Sequence, residues 1–183
     1  MANYLKYGDI ISFANGYGGK WGGGFLGTGG RSNISGALDS VGTFQSNSQP
    51  STQWRILSFL NQKPLGQNIV GCDKIVLQNI ADGGFLKLFN NNPQQNQNYD
   101  VATSELGSER AAAWHLLIRS NPNNDPNLVV EDQIYLLNSF NNGMGFLDTR
   151  GQGGGSGFLY AVSASLLFDR EGSGTGAWLV SRG

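Results

Sequence analysis

The residues of this chain best placed to do chemistry gather around one glycine-rich stretch. Asp148 and Arg150 stand two apart, Tyr160 follows the run GQGGGSG at 151–157, and Asp169 and Arg170 are adjacent a little further on. A carboxylate accepts hydrogen bonds from neighbouring hydroxyls, a guanidinium donates through a planar fork, and an aromatic ring covers an apolar face. Together they are the equipment for holding a polyhydroxylated ligand. Trp21, inside the glycine-filled segment 16–24, is a further candidate contact, because an aromatic on a loop is free to meet a partner. The plainer alternative makes Asp148 and Arg150 an exposed strand pair and the glycines a flexible turn.

Other chemistries find less support. Glycoside hydrolysis needs two carboxylates facing each other across a cleft, and only Asp148 and Asp169 suggest themselves, so the chain is expected not to be an enzyme. His115 is the sole histidine and adjoins Trp114; it reads as a strand residue rather than a general base. With only Cys72 besides, no intrachain disulfide and no His/Cys zinc site can form. No metal or cofactor is expected. Neither glycine cluster continues into Gly-Lys-Ser/Thr, which removes a phosphate loop. Formal net charge is −1, and the 12 Lys and Arg are scattered rather than striped, which argues against nucleic acid as a partner. No apolar run reaches membrane-spanning or signal-peptide length, so a cytoplasmic location is the default expectation.

The elements that must position these residues repeat. Asp, an aliphatic, Phe or Leu, and Asn recur with one spacing as Asp9, Ile11, Phe13, Asn15, as Asp73, Ile75, Leu77, Asn79, and as Asp132, Ile134, Leu136, Asn138. Gly-Phe-Leu follows each time, at 24–26, 84–86 and 145–147. Val41, Val101 and Val162 come next, and each copy closes on a tryptophan with an aliphatic two places on: Trp54 and Ile56, Trp114 and Leu116, Trp178 and Val180. Alternation of this kind is the period of half-buried strands. Asn15-Gly16 and Asn142-Gly143 supply turn chemistry. The chain is therefore read as one all-β domain over 1–183, with units at about 1–62, 63–124 and 125–183. Each unit has four strands, and the three surround a pseudo-threefold axis, since none can bury its apolar face alone. Ser104 to Leu117 has helical propensity, but the alignment of Trp114 with the other two tryptophans limits it to one turn. The repeated Asp and Asn are read as turn residues bonding local backbone.

Three such units, each ending in an aromatic followed by alternating aliphatics, resemble the β-trefoil superfamily, and within it the ricin B-type lectin-like and MIR-like branches. Gly145-Phe146-Leu147-Asp148-Thr149-Arg150-Gly151 is similar to the lectin stretch whose Asp contacts sugar, and Gln53-Trp54-Arg55-Ile56 echoes the closing strand. The lectin Gln two places before the closing Trp is replaced by Thr52, Ala112 and Gly176, and the sugar-contacting Asp position holds Gly27, Lys87 and Asp148. The resemblance implies a carbohydrate or glycoprotein partner bound by the third unit at Asp148, where Arg150, Tyr160, Asp169 and Arg170 are the further candidate contacts by their chemistry, with oligomers adding avidity. Two alternatives stand beside it. One is a protein-interaction module in the manner of MIR-like or actin-bundling trefoils. The other is a protease inhibitor acting through a protruding loop such as Phe89 to Asp100.

Overall fold

Period-two patterning becomes twelve strands in the computed structural model, which describes residues 3–91, 98–120, 125–140, 143, 145–153 and 157–183. The first unit supplies β1 (Ile10–Asn15), β2 (Phe25–Arg31), β3 (Asp39–Phe44) and β4 (Trp54–Ser58). The second supplies β5 (Lys74–Asn79), β6 (Phe85–Asn91), β7 (Asn98–Ser104) and β8 (Trp114–Ser120). The third supplies β9 (Gln133–Asn138), β10 (Phe146–Gln152), β11 (Tyr160–Ser165) and β12 (Trp178–Arg182).

All pairings between strands are antiparallel. A closed ring runs β1, β4, β5, β8, β9, β12 and back to β1. Over it stand three hairpins, β2–β3, β6–β7 and β10–β11. Their inner strands β3, β7 and β11 pair with one another in a triangle. Closure removes free edges, the general liability of sheets. The segment over which helix and strand competed forms a single 3-10 turn, Arg110–Ala112, and then β8. Residues 92–97 of the candidate inhibitor loop, 121–124 of the second connection, Asn142 of the expected Asn-Gly turn and 154–156 of the glycine run lie outside the described residues.

The core is the repeated pattern made solid. Ile11, Phe13, Ile75, Leu77, Ile134 and Leu136 are wholly buried with Leu26, Leu86 and Leu147. Trp54, Trp114 and Trp178 join them, and each indole N–H donates to the backbone carbonyl of the Leu in its own Gly-Phe-Leu, at 2.9, 3.0 and 3.0 Å. One barrel mouth is closed by Leu5, Ile69 and Leu128. These donate in a circle through their backbones, Leu5 to Leu128, Leu128 to Ile69 and Ile69 to Leu5.

The repeated acids and amides are structural. Asp9, Asp73 and Asp132 each accept from the backbone N–H three residues back, at 3.0, 2.9 and 2.9 Å. The asparagines reach across unit boundaries. The Asn15 side chain donates to the Thr175 carbonyl at 2.7 Å, Asn79 to Ser51 at 2.8 Å and Asn138 to Ala111 at 2.8 Å. Each thereby satisfies a carbonyl in the closing segment of the unit before it in the ring.

One backbone position is strained in two units out of three. Gly8, Cys72 and Glu131 occupy the same place, each donating its N–H to the closing strand, to Ile56, Leu116 and Val180. Their φ values are 100, 69 and 73°. Left-handed backbone costs a residue with a Cβ about 1–2 kcal/mol, offset in part by the roughly 0.5–1 kcal/mol of chain entropy that glycine brings to the unfolded state. Glu131→Gly is therefore expected to stabilise by up to about 1 kcal/mol in urea titration. Gly8→Ala should destabilise, since its new Cβ would also lie 3.3 Å from Leu65.

Candidate functional site

The third hairpin and two loops around it build a cleft of about 200 Å³. Arg150 stands at the irregular end of β10, where the register against β11 slips between Arg150 and Gln152. Tyr160 opens β11 opposite Gln152, with its backbone N–H donating to Thr43 Oγ1 at 3.2 Å. Tyr17 arrives from the first unit. Its N–H donates to Asn15 Oδ1 at 3.0 Å, and that same oxygen accepts from Thr149 Oγ1 at 3.0 Å. One buried asparagine thus sets the tyrosine of one unit against the hairpin of another. The rings of Tyr17 and Tyr160 meet edge to face with centroids 5.0 Å apart.

The far wall is the loop 169–175. The Asp169 carboxylate holds it in shape, accepting from Thr175 Oγ1 at 3.0 Å and from the Gly174 N–H at 3.3 Å. Gly16 and Gly174 allow the two loops to touch, since a Cβ on Gly16 would lie 2.8 Å from the Gly174 carbonyl. Glu171 faces the cleft and receives the Arg170 guanidinium at 2.6 Å. The cleft is therefore lined by two tyrosines, Arg150, Gln152 and Glu171, with the buried Thr175 at its floor.

The six expected contact residues divide. Arg150 and Tyr160 line the cleft. Trp21 and Asp169 lie in a neighbouring hollow, with Lys20, Arg119 and Gly174. Arg170 lies between, its backbone N–H on Asp148 at 3.3 Å and its head on Glu171.

Asp148, expected to touch ligand, has no exposed surface. The alternation that would turn it outward fails in β10, where Leu147, Asp148 and Thr149 are all buried. Both faces of the strand are covered there, and Thr149 donates its backbone N–H to Thr175 in the crossing loop. Burial pushes the Asp148 carboxyl up to about 7, against smaller opposing effects of Thr175 and Arg170. Its Oδ1 and the Arg170 Nε are both buried without a hydrogen-bond partner.

Tyr17 and Glu171 were not foreseen. The signal for Tyr17 was its position directly after Asn15-Gly16, inside the segment already marked by Trp21. Glu171 adjoins Arg170 and is its ion-pair partner.

No helix among the described residues is long and apolar enough to cross a membrane. No family model and no curated protein sequence matches the chain. Solved structures do. The chain is similar to the SDF2-like protein from Arabidopsis thaliana, at 16% identity and TM-score 0.79 over 97% of this chain and 94% of that one. It is similar to a chain of the S. cerevisiae protein O-mannosyltransferase Pmt1-Pmt2 complex bound to the sugar donor, at 12% identity and TM-score 0.77, where all of it spans 26% of that chain. It is also similar to the designed 3-fold symmetric protein ThreeFoil, at 14% identity and TM-score 0.57 over 93% and 96%. At these identities the likeness is one of fold, all-β and consistent with a trefoil.

Proposed function

We propose that this chain is a β-trefoil of three four-stranded repeats that binds carbohydrate without catalysing its reaction, through the cleft between Tyr17 and Tyr160. The observation that carries the reading is the composition of that cleft. Two tyrosines offer apolar faces and hydroxyls, while Arg150, Gln152 and Glu171 offer a fork of donors, an amide and a carboxylate around one sugar-sized hollow. The fold neighbour in a mannosyltransferase complex lends the fold and not an activity. A shallow site of this kind would bind weakly alone and gain from presentation of several copies.

The test is a glycan-array screen of the protein beside Arg150→Ala and Tyr160→Ala. Binding to a defined set of glycans is expected, reduced about tenfold or more by either change, since a charge-assisted hydrogen bond or a lost aromatic face is worth roughly 1–3 kcal/mol. Circular dichroism should be unchanged in both variants. A blank array with folded protein sinks the proposal.

One observation favours a second reading, a protein-interaction module. Leu166, Leu167 and Phe168 are 40, 61 and 56% exposed in one loop, and Phe168 stacks edge to face on Tyr135 and Phe146. Exposed apolar patches of this sort mark protein contacts, and the loop adjoins the cleft wall through Asp169. A glycoprotein recognised by both surfaces would unite the readings.

A further inference from the structure

A second, larger cavity of about 620 Å³ is lined by residues of all three units and shares none with the first cleft. Lys74 on β5, Arg110 in the 3-10 turn and His115 on β8 all line it. Register places Lys74 and His115 directly opposite each other across the β5–β8 pair, with Leu137 opposite His115 on the other side. Lys74 and Arg110 are both cationic, and like charges lining one cavity repel unless something between them is negative. Among the described residues no carboxylate lines the cavity. The acids nearest in sequence are engaged elsewhere. Asp73 is held by Lys63 at 2.5 Å and Tyr7 at 2.6 Å, and Glu109 pairs with Lys87.

Two further details point at a ligand. Ser139 lines the same cavity, and its hydroxyl is buried with no hydrogen-bond partner; such groups are rare unless something absent satisfies them. The Lys74 ammonium lies 5.9 Å from the Phe59 ring centroid, and among the described residues it makes no salt bridge. Burial and the Lys74 charge together hold the His115 imidazole below its ordinary range, as expected of a base kept among cations.

We infer that this cavity is a second binding site, for a sulfate or phosphate ester carried on a saccharide. Lys74 and Arg110 supply the charge, and Ser139 and Ser108 supply hydroxyl donors. A tetrahedral oxyanion fills only a fraction of the volume. The remainder is walled by the Phe59 ring, Leu60, Leu137 and the Gln62 amide, which suits the body of a sugar. The saccharide part rests on the function proposed above; the oxyanion part stands without it.

The experiment follows the His115 ring and the Arg110 and Ser139 amides by NMR while adding inorganic sulfate, inorganic phosphate, glucose 6-sulfate, glucose 6-phosphate or glucose. Saturable shifts are expected with all four anions and none with glucose at the same concentration. The esters should bind about fivefold or more tighter than the inorganic ions, and the better of the two esters identifies the oxyanion. Arg110→Ala is expected to weaken binding about tenfold, the worth of one charge-assisted hydrogen bond, while Arg110→Lys keeps most of it. Tyr160→Ala should change nothing here, so failure of the first cleft and failure of this one are read separately. No saturable shift, or shifts indifferent to Arg110→Ala, overturns the site. Equal affinity for inorganic and ester forms overturns its assignment to a saccharide.

Discussion

Asp148→Asn is expected to make the protein more stable at pH 8 by about 2–4 kcal/mol and to leave it almost unchanged at pH 4. The native carboxyl is raised from 3.8 to about 7, chiefly by burial. Between those values the folded chain holds a proton that the unfolded chain has released, so stability falls as pH rises through that window. Below about 3.8 both states are protonated and no penalty remains. Above about 7 the penalty is complete, roughly 3 pH units at 1.36 kcal/mol each. An amide keeps the shape and an acceptor for the Arg170 N–H without the charge. Urea denaturation at pH 4, 6 and 8 measures the difference between the two proteins, which removes every other titrating group from the comparison. Parallel pH curves would show that Asp148 ionises freely and that the burial is not felt.

Removing a closing tryptophan should be the most damaging single change. Trp178→Ala is expected to cost about 3–5 kcal/mol for the lost side chain and about 1 more for the Leu147 carbonyl left without its donor. A domain is held by roughly 5–15 kcal/mol in all, and in a chain of this length each kcal/mol corresponds to about 2–4 °C in Tm. A fall of at least about 10 °C is therefore expected in thermal melts, or no folded protein. Trp178→Phe keeps most of the buried area but loses the N–H and one ring of the indole, so its fall should be clearly smaller than that of the Ala variant. Trp54 and Trp114 are equally buried and donate in the same way, so the three Ala variants should match within about 1 kcal/mol. A Trp178→Ala melt indistinguishable from the parent would refute the anchoring role.

The fold was legible because its determinants are local and repeated. Trp54, Trp114 and Trp178 kept their place relative to Gly-Phe-Leu, and the alternation between Asp and Asn in each unit could be read residue by residue. Over 104–117 the place of Trp114 in the repeat outweighs helix propensity, and a 3-10 turn and β8 form there. The cleft was legible only where its walls belong to the third hairpin. Arg150 and Tyr160 flank the third hairpin's turn, a position the pattern locates. Tyr17 was missed because it comes from another unit, set in place by a long-range hydrogen bond between Asn15 and Thr149 that no spacing announces. Asp148 was misplaced for a related reason. Alternation tells which residues share a face, and a strand covered on both sides by a crossing loop has no outer face. The basic cavity was invisible for the same cause, since Lys74, Arg110 and His115 are scattered in sequence and converge only when β5 and β8 pair.

The asparagine bonds close a circle. Unit one holds on to unit three, unit two to unit one and unit three to unit two, each with its own side chain at the same place. In a linear solenoid the end modules fray first and the rest survives them. Here there is no end module, and letting go of any one strand set opens two boundaries at once. Partial opening is thereby made nearly as costly as complete unfolding, so the loops 16–24 and 169–175 are mounted on a frame that yields all together or not at all.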